Sequence, residues 1–262
     1  MRLIGTAASG IRAQQVAIDT IGNNLANVNT LGFKANQVDF AEALSTEVTS
    51  GNTKTGGNTG GTTLDVGAGV VYNAIGTDFQ QGTLASTDRP LDLGIDGAGF
   101  FQVKTADGST AYTRVGNFQT DGSGQLTDMQ GNLVQPSISI PSDATNLIVA
   151  ANGEIKGDVA GAERTFGQLS LVSFQNPEGL QRNADNLFVS TVNSGAPQVG
   201  QPGTTIGNQV LGTIRSQSLE QSNVDLVTSM TDLVQVQRAY QMNARLISDG
   251  DQMWGIANSI RR

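Results

Sequence analysis

Residues 222–262 of the chain read SNVDLVTSMTDLVQVQRAYQMNARLISDGDQMWGIANSIRR. Large apolar side chains recur in this stretch at intervals of seven residues, at Leu226, Leu233, Tyr240, Ile247 and Trp254. A second set lies beside the first on a helical projection, at Ala239, Leu246, Met253 and Ile260. A period of seven without an intervening proline predicts a long helix whose apolar seam packs against other helices. Two adjacent stripes make a face broad enough to contact more than one neighbouring helix.

The other end of the chain carries a matching pattern. Between residues 3 and 28, apolar residues again recur every seven positions, with others between them: Ile4, Ile11, Ile18 and Leu25, then Ala7, Ile21 and Val28. An amphipathic helix in water has to bury its apolar stripe. We therefore expect residues 1–35 and 216–262 to form one helical domain, in which the terminal helices pair as a coiled coil and contact neighbouring subunits. The alternative is a C-terminal helix that folds onto its own β domain.

Polar residues mark the inner ends of both helices. Ser222 and Asp225 precede the C-terminal helix, where Ser222 is expected to cap the amide of Asp225 and the Asp225 carboxylate to face the positive end of the helix dipole. The N-terminal helix approaches its end with Asn23, Asn24 and Asn27. Because asparagine is a mediocre helix former, these amides indicate either a frayed helix end or lattice contacts that bridge neighbouring helices. Gly32 then suits the left-handed position that closes a helix.

The middle of the chain changes its period. Residues 36–69 are predicted as an extended arm or linker; 49–69 is dominated by Gly, Thr, Asn and Ser, and both a flexible linker and an ordered contact arm fit that composition. From 70 to 215 the period becomes two, with hairpin dipeptides at Asp107-Gly108, Asp121-Gly122 and Asn152-Gly153. Candidate strands are 91–95, 100–103, 111–115, 116–120, 133–135, 138–140, 147–150, 168–174, 187–190 and 210–214. The expected fold class is α+β, with an antiparallel all-β domain inserted between two long terminal helices.

The composition excludes several kinds of site and partner. The 262 residues include no cysteine and no histidine, which excludes disulfides, thiolate nucleophiles, imidazole bases and Cys/His metal sites. A net charge of −8 disfavours nucleic acid and anionic membrane surfaces, and no apolar run reaches the roughly 18 residues of a membrane span. The glycines of 94–99 lead into a strand rather than a helix, and residues 121–124 lack the later carboxylates of a calcium loop. We therefore predict no catalytic residues, no cofactor and no metal.

Six short blocks, spread over the whole chain, point to one protein family. The first is NTLGFK at 29–34, directly after the Asn-rich helix end. The others are GAGFFQV at 97–103, YTRVGNF at 112–118, GQL at 124–126, LEQSNVD at 219–225 and QVQRAYQ at 235–241. In their order and spacing these blocks resemble the flagellar rod and hook family. The length resembles that of the distal rod members, since it leaves no room for the additional outer domain of hook proteins.

The resemblance implies a non-enzymatic subunit of the flagellar distal rod, a hollow helical homopolymer that transmits torque from the motor to the hook. The terminal helices would form an inner coiled-coil layer around an export channel, and the β domain would form the outer wall. It also implies export by the type III apparatus without a cleaved signal peptide, and a place in the basal body, in the cell envelope or periplasm.

The neighbours that the resemblance implies are proximal rod proteins, the hook protein and the ring bushing proteins. The alternatives are a proximal rod or short hook subunit of the same family and, from another class, a secreted oligomeric β-domain binding module.

Overall fold

The computed structural model describes residues 2–43, 46–49, 63–207 and 209–260, whose contacts divide the chain into two compact units. The helical unit comprises Met1–Ala26, Asn36–Gly76 and Asp225–Arg262, and the β unit comprises Asn27–Ala35 and Thr77–Val224. This division differs from the expected domains, because 27–35 and 216–224 fold with the β unit and 70–76 with the helical unit. Most of the Gly/Thr-rich part of the expected arm, residues 50–62, lies outside the described residues.

The helical unit is built on two long helices that pack against each other. Helix α1 covers Arg2–Ala26 and helix α2 covers Leu226–Ile260. Together with the strands between them, this pairing confirms the predicted α+β class. Helix α1 ends before Val28, because the chain turns at Asn27, whose carbonyl accepts the amide of Thr30. Of the strands that follow α1, β1 (Asn36–Glu42) pairs with β4 (Val70–Thr77), and β2 (Thr46–Thr49) pairs antiparallel with β3 (Thr63–Val66).

The β unit is an assembly of short antiparallel strands. In chain order they are β5 (Leu84–Ser86), β6 (Leu93–Asp96), β7 (Phe100–Lys104), β8 (Thr110–Thr113), β9 (Gln119–Thr120), β10 (Leu126–Thr127), β11 (Leu133–Gln135), β12 (Thr145–Val149), β13 (Glu154–Val159), β14 (Ala162–Gln168), β15 (Leu171–Ser173), β16 (Gln181–Arg182), β17 (Leu187–Val189), β18 (Gln198–Gly200), β19 (Thr205–Ile206), β20 (Gln209–Val210), β21 (Thr213–Ser216) and β22 (Ser218–Glu220). Short 3₁₀ turns at Pro177–Gly179 and Ala184–Asn186 flank β16.

One sheet of nine strands dominates this unit. Seven of its strands follow the order β16-β17-β8-β7-β11-β10-β9, while β15 pairs with β7 and β18 with β15. Strands β12, β13 and β14 form a separate three-stranded sheet, and β19 pairs with β20. The last strands return to the first ones, since β21 pairs with β6 and β22 with β5. This return places Glu220, at the end of β22, next to the start of the unit.

Neighbouring residues of β7 contribute side chains to two separate hydrophobic clusters of the core. Because successive side chains of a strand point to opposite faces, Phe101 and Val103 join one cluster and Phe100 joins the other. The larger cluster also holds Leu93, Ile95, Phe118, Ile155 and Leu171. The smaller one is aromatic, with Tyr112, Phe174 and Phe188 around Phe100 in edge-to-face contacts. The two consecutive phenylalanines therefore anchor both faces of the sheet.

The turns and strands differ from expectation in specific places. Gly108 and Gly153 adopt the positive φ predicted for their hairpins. In the 121–124 turn the left-handed residue is Gly124 rather than Gly122, because the Asp121 carboxylate accepts the amides of Ser123 and Gln125 and shapes the turn itself. Residues 138–140 form only an isolated bridge at Ser139, after a proline that cannot donate to a ladder. The predicted strands 168–174 and 210–214 are each split in two, and β13 was not predicted.

Candidate assembly surfaces

Small side chains form the contact side of α1. The most buried apolar residues of this helix are Ala7, Ala13 and Ala17. Between Ala7 and Ala13 lies Gly10, where an added Cβ would stand 2.8 Å from the side-chain nitrogen Nδ2 of Asn243 on α2. Because interaxial distance depends on the side chains at the contact, these residues allow the two helix backbones to approach closely.

The predicted packing residues of α1 flank this contact side. Within the helix, Ile4, Ile11, Ile18, Ile21 and Leu25 are all half-buried, so part of each side chain is left uncovered. Val28 is also half-buried but follows the end of α1 and belongs to the β unit. The predicted residues therefore border the side of α1 that carries its buried alanines and Gly10, and their role in packing between subunits stays a prediction.

On α2 the covered side and the predicted stripes overlap only in part. Leu233 and Ile247 are half-buried as members of the covered side, together with Ser229, Val236, Ala239 and Asn243, and Gly250 is buried. Sequence reasoning missed the heptad Ser229, Val236, Asn243 and Gly250, since all of its members except Val236 are small or polar. The other predicted residues of α2 are exposed, namely Leu226, Tyr240, Leu246, Met253, Trp254 and Ile260.

The exposed residues make α2 apolar on a second side. Met253 is 61% exposed and Ile260 80%. Toward the start of the helix, a shallow groove is lined by Met230, Thr231, Val234, Gln235, Arg238, Ala239 and Met242. Exposed apolar surface of this extent marks an interaction site. Helix α2 thus has one apolar side on α1 and another that is open in the single chain.

Asn24 and Asn27, at the end of α1, form hydrogen bonds within their own chain. Asn24 is buried, and its amide donates to the Asn36 carbonyl at 2.8 Å and accepts the Asn36 amide at 2.9 Å. The Asn27 side chain accepts the hydroxyl of Thr30 at 3.1 Å, and Asn23 lies on the exposed side of α1. Asn24 therefore clamps the end of α1 to the start of β1 within one chain. Its predicted bridge to a neighbouring helix stays a prediction.

The cap of α2 is formed by Asp225. Its carboxylate accepts the amides of Val227 at 2.8 Å and Thr228 at 3.3 Å, and the Thr228 hydroxyl at 3.0 Å. Hydrogen bonds from the Thr228 hydroxyl, and then from the two amides, hold the pKa of Asp225 below its usual value. Ser222 lies outside the helix, where its hydroxyl accepts the amide of Val224 rather than that of Asp225. The cap therefore starts three residues later than expected from Ser222.

A buried ion cluster joins the two ends of the β unit. Lys34 Nζ lies 2.6 Å from Glu220 Oε1, and Arg114 Nη1 lies 3.3 Å from Glu220 Oε2. The side chains of Lys34 and Glu220 are fully buried and that of Arg114 is 4% exposed. Lys34 also donates to the Gln80 carbonyl at 2.6 Å, and Glu220 accepts the Gly82 amide. Glu220 is thus the shared partner of two buried cations.

Burial outweighs pairing in the electrostatics of this cluster. Loss of hydration lowers the pKa of Lys34 and of Arg114, although Glu220 opposes the effect on both. Arg182 lies next to the cluster, donates to the Lys34 carbonyl at 3.0 Å and stacks 4.4 Å over the Phe33 ring; burial lowers its pKa as well. The charges of the cluster are therefore costly to bury and depend on one another.

The NTLGFK loop, residues 29–34, is held in shape by its contacts with Glu220 and Val115. Gly32 has φ +61, and its amide donates to the Glu220 carbonyl at 2.8 Å. An added Cβ there would lie 2.8 Å from the Val115 side chain. Gly32 is therefore required by the approach of the loop to the sheet and not, as expected, by the end of α1. The motifs containing Lys34, Arg114 and Glu220 were visible in the sequence, but no pattern indicated that these residues meet.

Neither a metal-binding cluster nor a membrane-spanning helix is found in the described ranges. No group of three or more acidic side chains there is arranged to hold a metal ion. None of the helices that the structure describes is long and apolar enough to cross a membrane.

Comparison with known proteins places the chain among flagellar components along its whole length. Three family models match: "Flagella basal body rod protein" at residues 4–34, "Flagellar hook protein FlgE/F/G D1 domain" at 94–157, and "Flagellar basal body rod FlgEFG protein C-terminal" at 215–260. The chain is 40% identical over 265 residues to the flagellar basal-body rod protein FlgG of Caulobacter vibrioides, covering 100% of both chains. It is 37% identical to FlgG of Agrobacterium fabrum, covering 98% of each. The flagellar hook-basal body complex protein FlhP of Bacillus subtilis is 32% identical, again covering 100% of both.

Proposed function

The chain belongs to the family of flagellar basal-body rod proteins, and we propose that it is a structural subunit of the distal rod. In this role it assembles with copies of itself into a hollow helical shaft that transmits torque from the motor to the hook. Full-length similarity to relatives named FlgG supports the distal rod over other members of the family. It acts as a structural part and not as an enzyme.

The structural observation that supports this proposal is the second, exposed apolar side of α2. A helix that is already paired with α1 still exposes Met242, Leu246, Met253 and Ile260. Burying one such side chain contributes about 1.5–3 kcal/mol, so several per subunit are enough to hold a polymer together. The occupant that fits is α1 or α2 of a neighbouring copy, because those helices carry half-covered apolar residues of the same kind.

The remaining contacts follow from the position of a distal rod. Its neighbours are proximal rod proteins on one side, the hook protein on the other, and the ring bushing proteins around it. The subunit is delivered by the type III export apparatus without cleavage and resides in the basal body, within the cell envelope or periplasm. Family membership supports the basal body; the individual partners are part of the proposal.

A charge on the exposed side of α2 tests the packing directly. Leu246→Asp should abolish polymer formation and leave the α1–α2 pair intact, because Leu246 lies outside the covered side. The same substitution at an exposed polar position of α2, Gln237→Asp, is the matched control and should assemble. Leu233→Asp and Ile247→Asp should also abolish assembly with the β unit folded, but they disturb the pair with α1 as well. Normal polymers from the Leu246 variant would refute the proposed packing.

Electron microscopy and a gene deletion separate the alternatives. Purified protein that forms long hollow tubes supports an axial subunit, whereas a discrete trimer or tetramer favours a secreted binding module. In cells, deletion should leave truncated rods without hooks. Hooks on rods of normal length in the deletion strain would contradict the distal rod assignment and favour another member of the family, such as a proximal rod or short hook subunit.

A further inference from the structure

Sulfur occurs in this chain only as methionine, because the 262 residues include five methionines and no cysteine. Three of the five lie on α2, at Met230, Met242 and Met253. With no thiol to react first, the thioethers are the sulfur groups that take up oxygen from an oxidant. Most of the oxidisable sulfur of the chain therefore lies on one helix.

The three thioether side chains lie on the open part of α2. Met230 is 49% exposed, and Met242 and Met253 are each 61% exposed. Met230 and Met242 line the shallow groove near the start of the helix. Met253 follows Met242 by eleven positions, which is close to three turns of about 3.6 residues, so the two side chains lie on the same side of α2. A small oxidant can therefore reach all three in the single chain.

Oxidation changes what this side of α2 can bind. When hydrogen peroxide reacts with a thioether, its O–O bond breaks, one oxygen atom bonds to the sulfur, and the other leaves as water. The sulfur loses two electrons and the peroxide gains them. The product is a sulfoxide, which turns a flexible apolar side chain into a polar one. Burying it against an apolar helix leaves its oxygen without a hydrogen-bond donor, and this is costly.

We propose that Met230, Met242 and Met253 form an oxidation site through which peroxide blocks assembly of the free subunit. This inference rests on the proposed function, since it takes the open side of α2 as the surface that packs against a neighbouring copy. A thioether adapts its shape to an apolar partner, whereas a sulfoxide brings an unpaired acceptor into the same contact. In the polymer, the neighbouring helix covers the three sulfur atoms and excludes the oxidant. Reduction by methionine sulfoxide reductases returns the subunit to its competent form.

Met129 provides a control within the same chain. It lies in the β unit and is 52% exposed, close to the exposed fraction of Met230. The residues that follow it, Gln130 and Gly131, are exposed and offer no apolar side chain. Peroxide should therefore oxidise Met129 in the free chain as readily as Met230, but without changing the surface of α2.

The distribution of sulfoxides between assembled and unassembled chains tests the proposal without any substitution. The purified full-length chain is partly oxidised with hydrogen peroxide and then allowed to polymerise. Sedimentation separates polymer from free chain, and mass spectrometry measures the sulfoxide fraction at each methionine in both. We expect the sulfoxides of Met242 and Met253 to be depleted about tenfold in the polymer, which corresponds to about 1.4 kcal/mol per site. The Met129 sulfoxide should be evenly distributed, and circular dichroism should show that the oxidised chain keeps its helix content.

A second measurement identifies the sulfur atoms as the cause. The three α2 methionines are replaced together by leucine, which has no sulfur and is a good helix former, and the treated variant is compared with its own untreated sample. Peroxide should then no longer reduce the amount of polymer, whereas the Met129→Leu control should lose assembly on oxidation as wild type does. Incubation of oxidised wild type with the two classes of methionine sulfoxide reductase should restore polymer formation.

Several results would overturn the inference. Equal fractions of α2 sulfoxides in polymer and free chain would show that oxidation does not affect the contact. Equal depletion of the Met129 sulfoxide would show that the effect is not specific to α2, and a loss of helix on oxidation would show that the sulfoxides act by unfolding. If the untreated chain forms no polymer, the proposed function fails and the inference fails with it, whereas polymers with evenly distributed sulfoxides refute the inference alone.

Discussion

Replacing Glu220 with glutamine would leave Lys34 and Arg114 buried without the carboxylate that they share. The three side chains are at most 4% exposed, so water offers little compensation. Removing one partner of a buried ion pair costs about 3–5 kcal/mol, because the remaining charge is unpaired. We expect Glu220→Gln to lower the free energy of unfolding of the β unit by that amount, even though glutamine can still accept the Gly82 amide.

The matched substitution in the same cluster is Lys34→Met. It removes one of the two cations and leaves Glu220 and Arg114 as a balanced pair. The hydrogen bond from Lys34 to the Gln80 carbonyl is lost, but so is the cost of burying the ammonium group. The two charges that remain, Arg114 and Glu220, still pair with each other, so no buried charge is left without a partner. This variant should therefore remain within about 1.5 kcal/mol of wild type.

The assay has to report on the β unit itself. Trp254 lies on α2, so tryptophan fluorescence follows the helical unit. Hydrogen exchange at core amides of Phe101 and Ile155, measured with increasing urea, gives the unfolding free energy of the β unit directly. A Glu220→Gln variant within about 1 kcal/mol of wild type, or a Lys34→Met variant equally destabilised, would refute the idea that Glu220 is the shared counter-ion.

Three further outcomes follow from named contacts. Burial lowers the pKa of Lys34 below its ordinary 10.5, so at a pH between the two values unfolding takes up a proton on this amine. In that range the free energy of unfolding of the β unit should increase as the pH rises. The difference between the unfolding free energies of wild type and Lys34→Met, measured against pH, isolates this contribution. The pKa of the Asp225 carboxyl is held below 3.8 in the folded chain. The stability that this carboxylate gives to the start of α2 is therefore fully present above pH 3.8 and is lost as the pH falls through the folded-state pKa. Hydrogen exchange of the Thr228 amide should show this acid dependence in wild type and not in Asp225→Asn. Gly10→Val should destabilise the α1–α2 pair by about 1 kcal/mol, at the low end of overpacking, because the close atom belongs to the movable end of the Asn243 side chain. Gly22→Val, where an added Cβ meets nothing within 4 Å, carries the same propensity cost without the clash. Circular dichroism melts that do not separate these two variants would contradict the close contact.

Periodicity predicted the parts of the fold in which one physical requirement dominates. The heptads located both helices and their pairing, since a long amphipathic helix has to bury a stripe. The alternation around Phe100 and Phe101 located the central strand in the same way. Very short strands such as β10 and β16 contain too few residues for any period to be visible. The split of 168–174 is set by contacts with distant parts of the chain.

The surfaces were predicted less completely, for a specific reason. Hydrophobicity favours large side chains, so sequence reasoning selected Tyr240 and Trp254 for the seam. Small residues such as Ala13 and Gly250 are instead the most buried ones of the two helices, and Gly10 lies close to the Asn243 side chain. The buried ion pairs were not predicted, because a charged residue in a sequence is expected at the solvent-exposed surface. Only the fold shows that Lys34 and Glu220 are buried.

The Lys34–Glu220 pair connects residues 186 positions apart. Lys34 cannot meet Glu220 before residue 220 has been synthesised, so the two ends of the β unit come together only when nearly the whole polypeptide exists. A fragment confined to residues 77–224 would lack the lysine and expose Glu220 without it. Any shortened version of the β unit meant for study in isolation therefore has to carry the 27–35 loop with it.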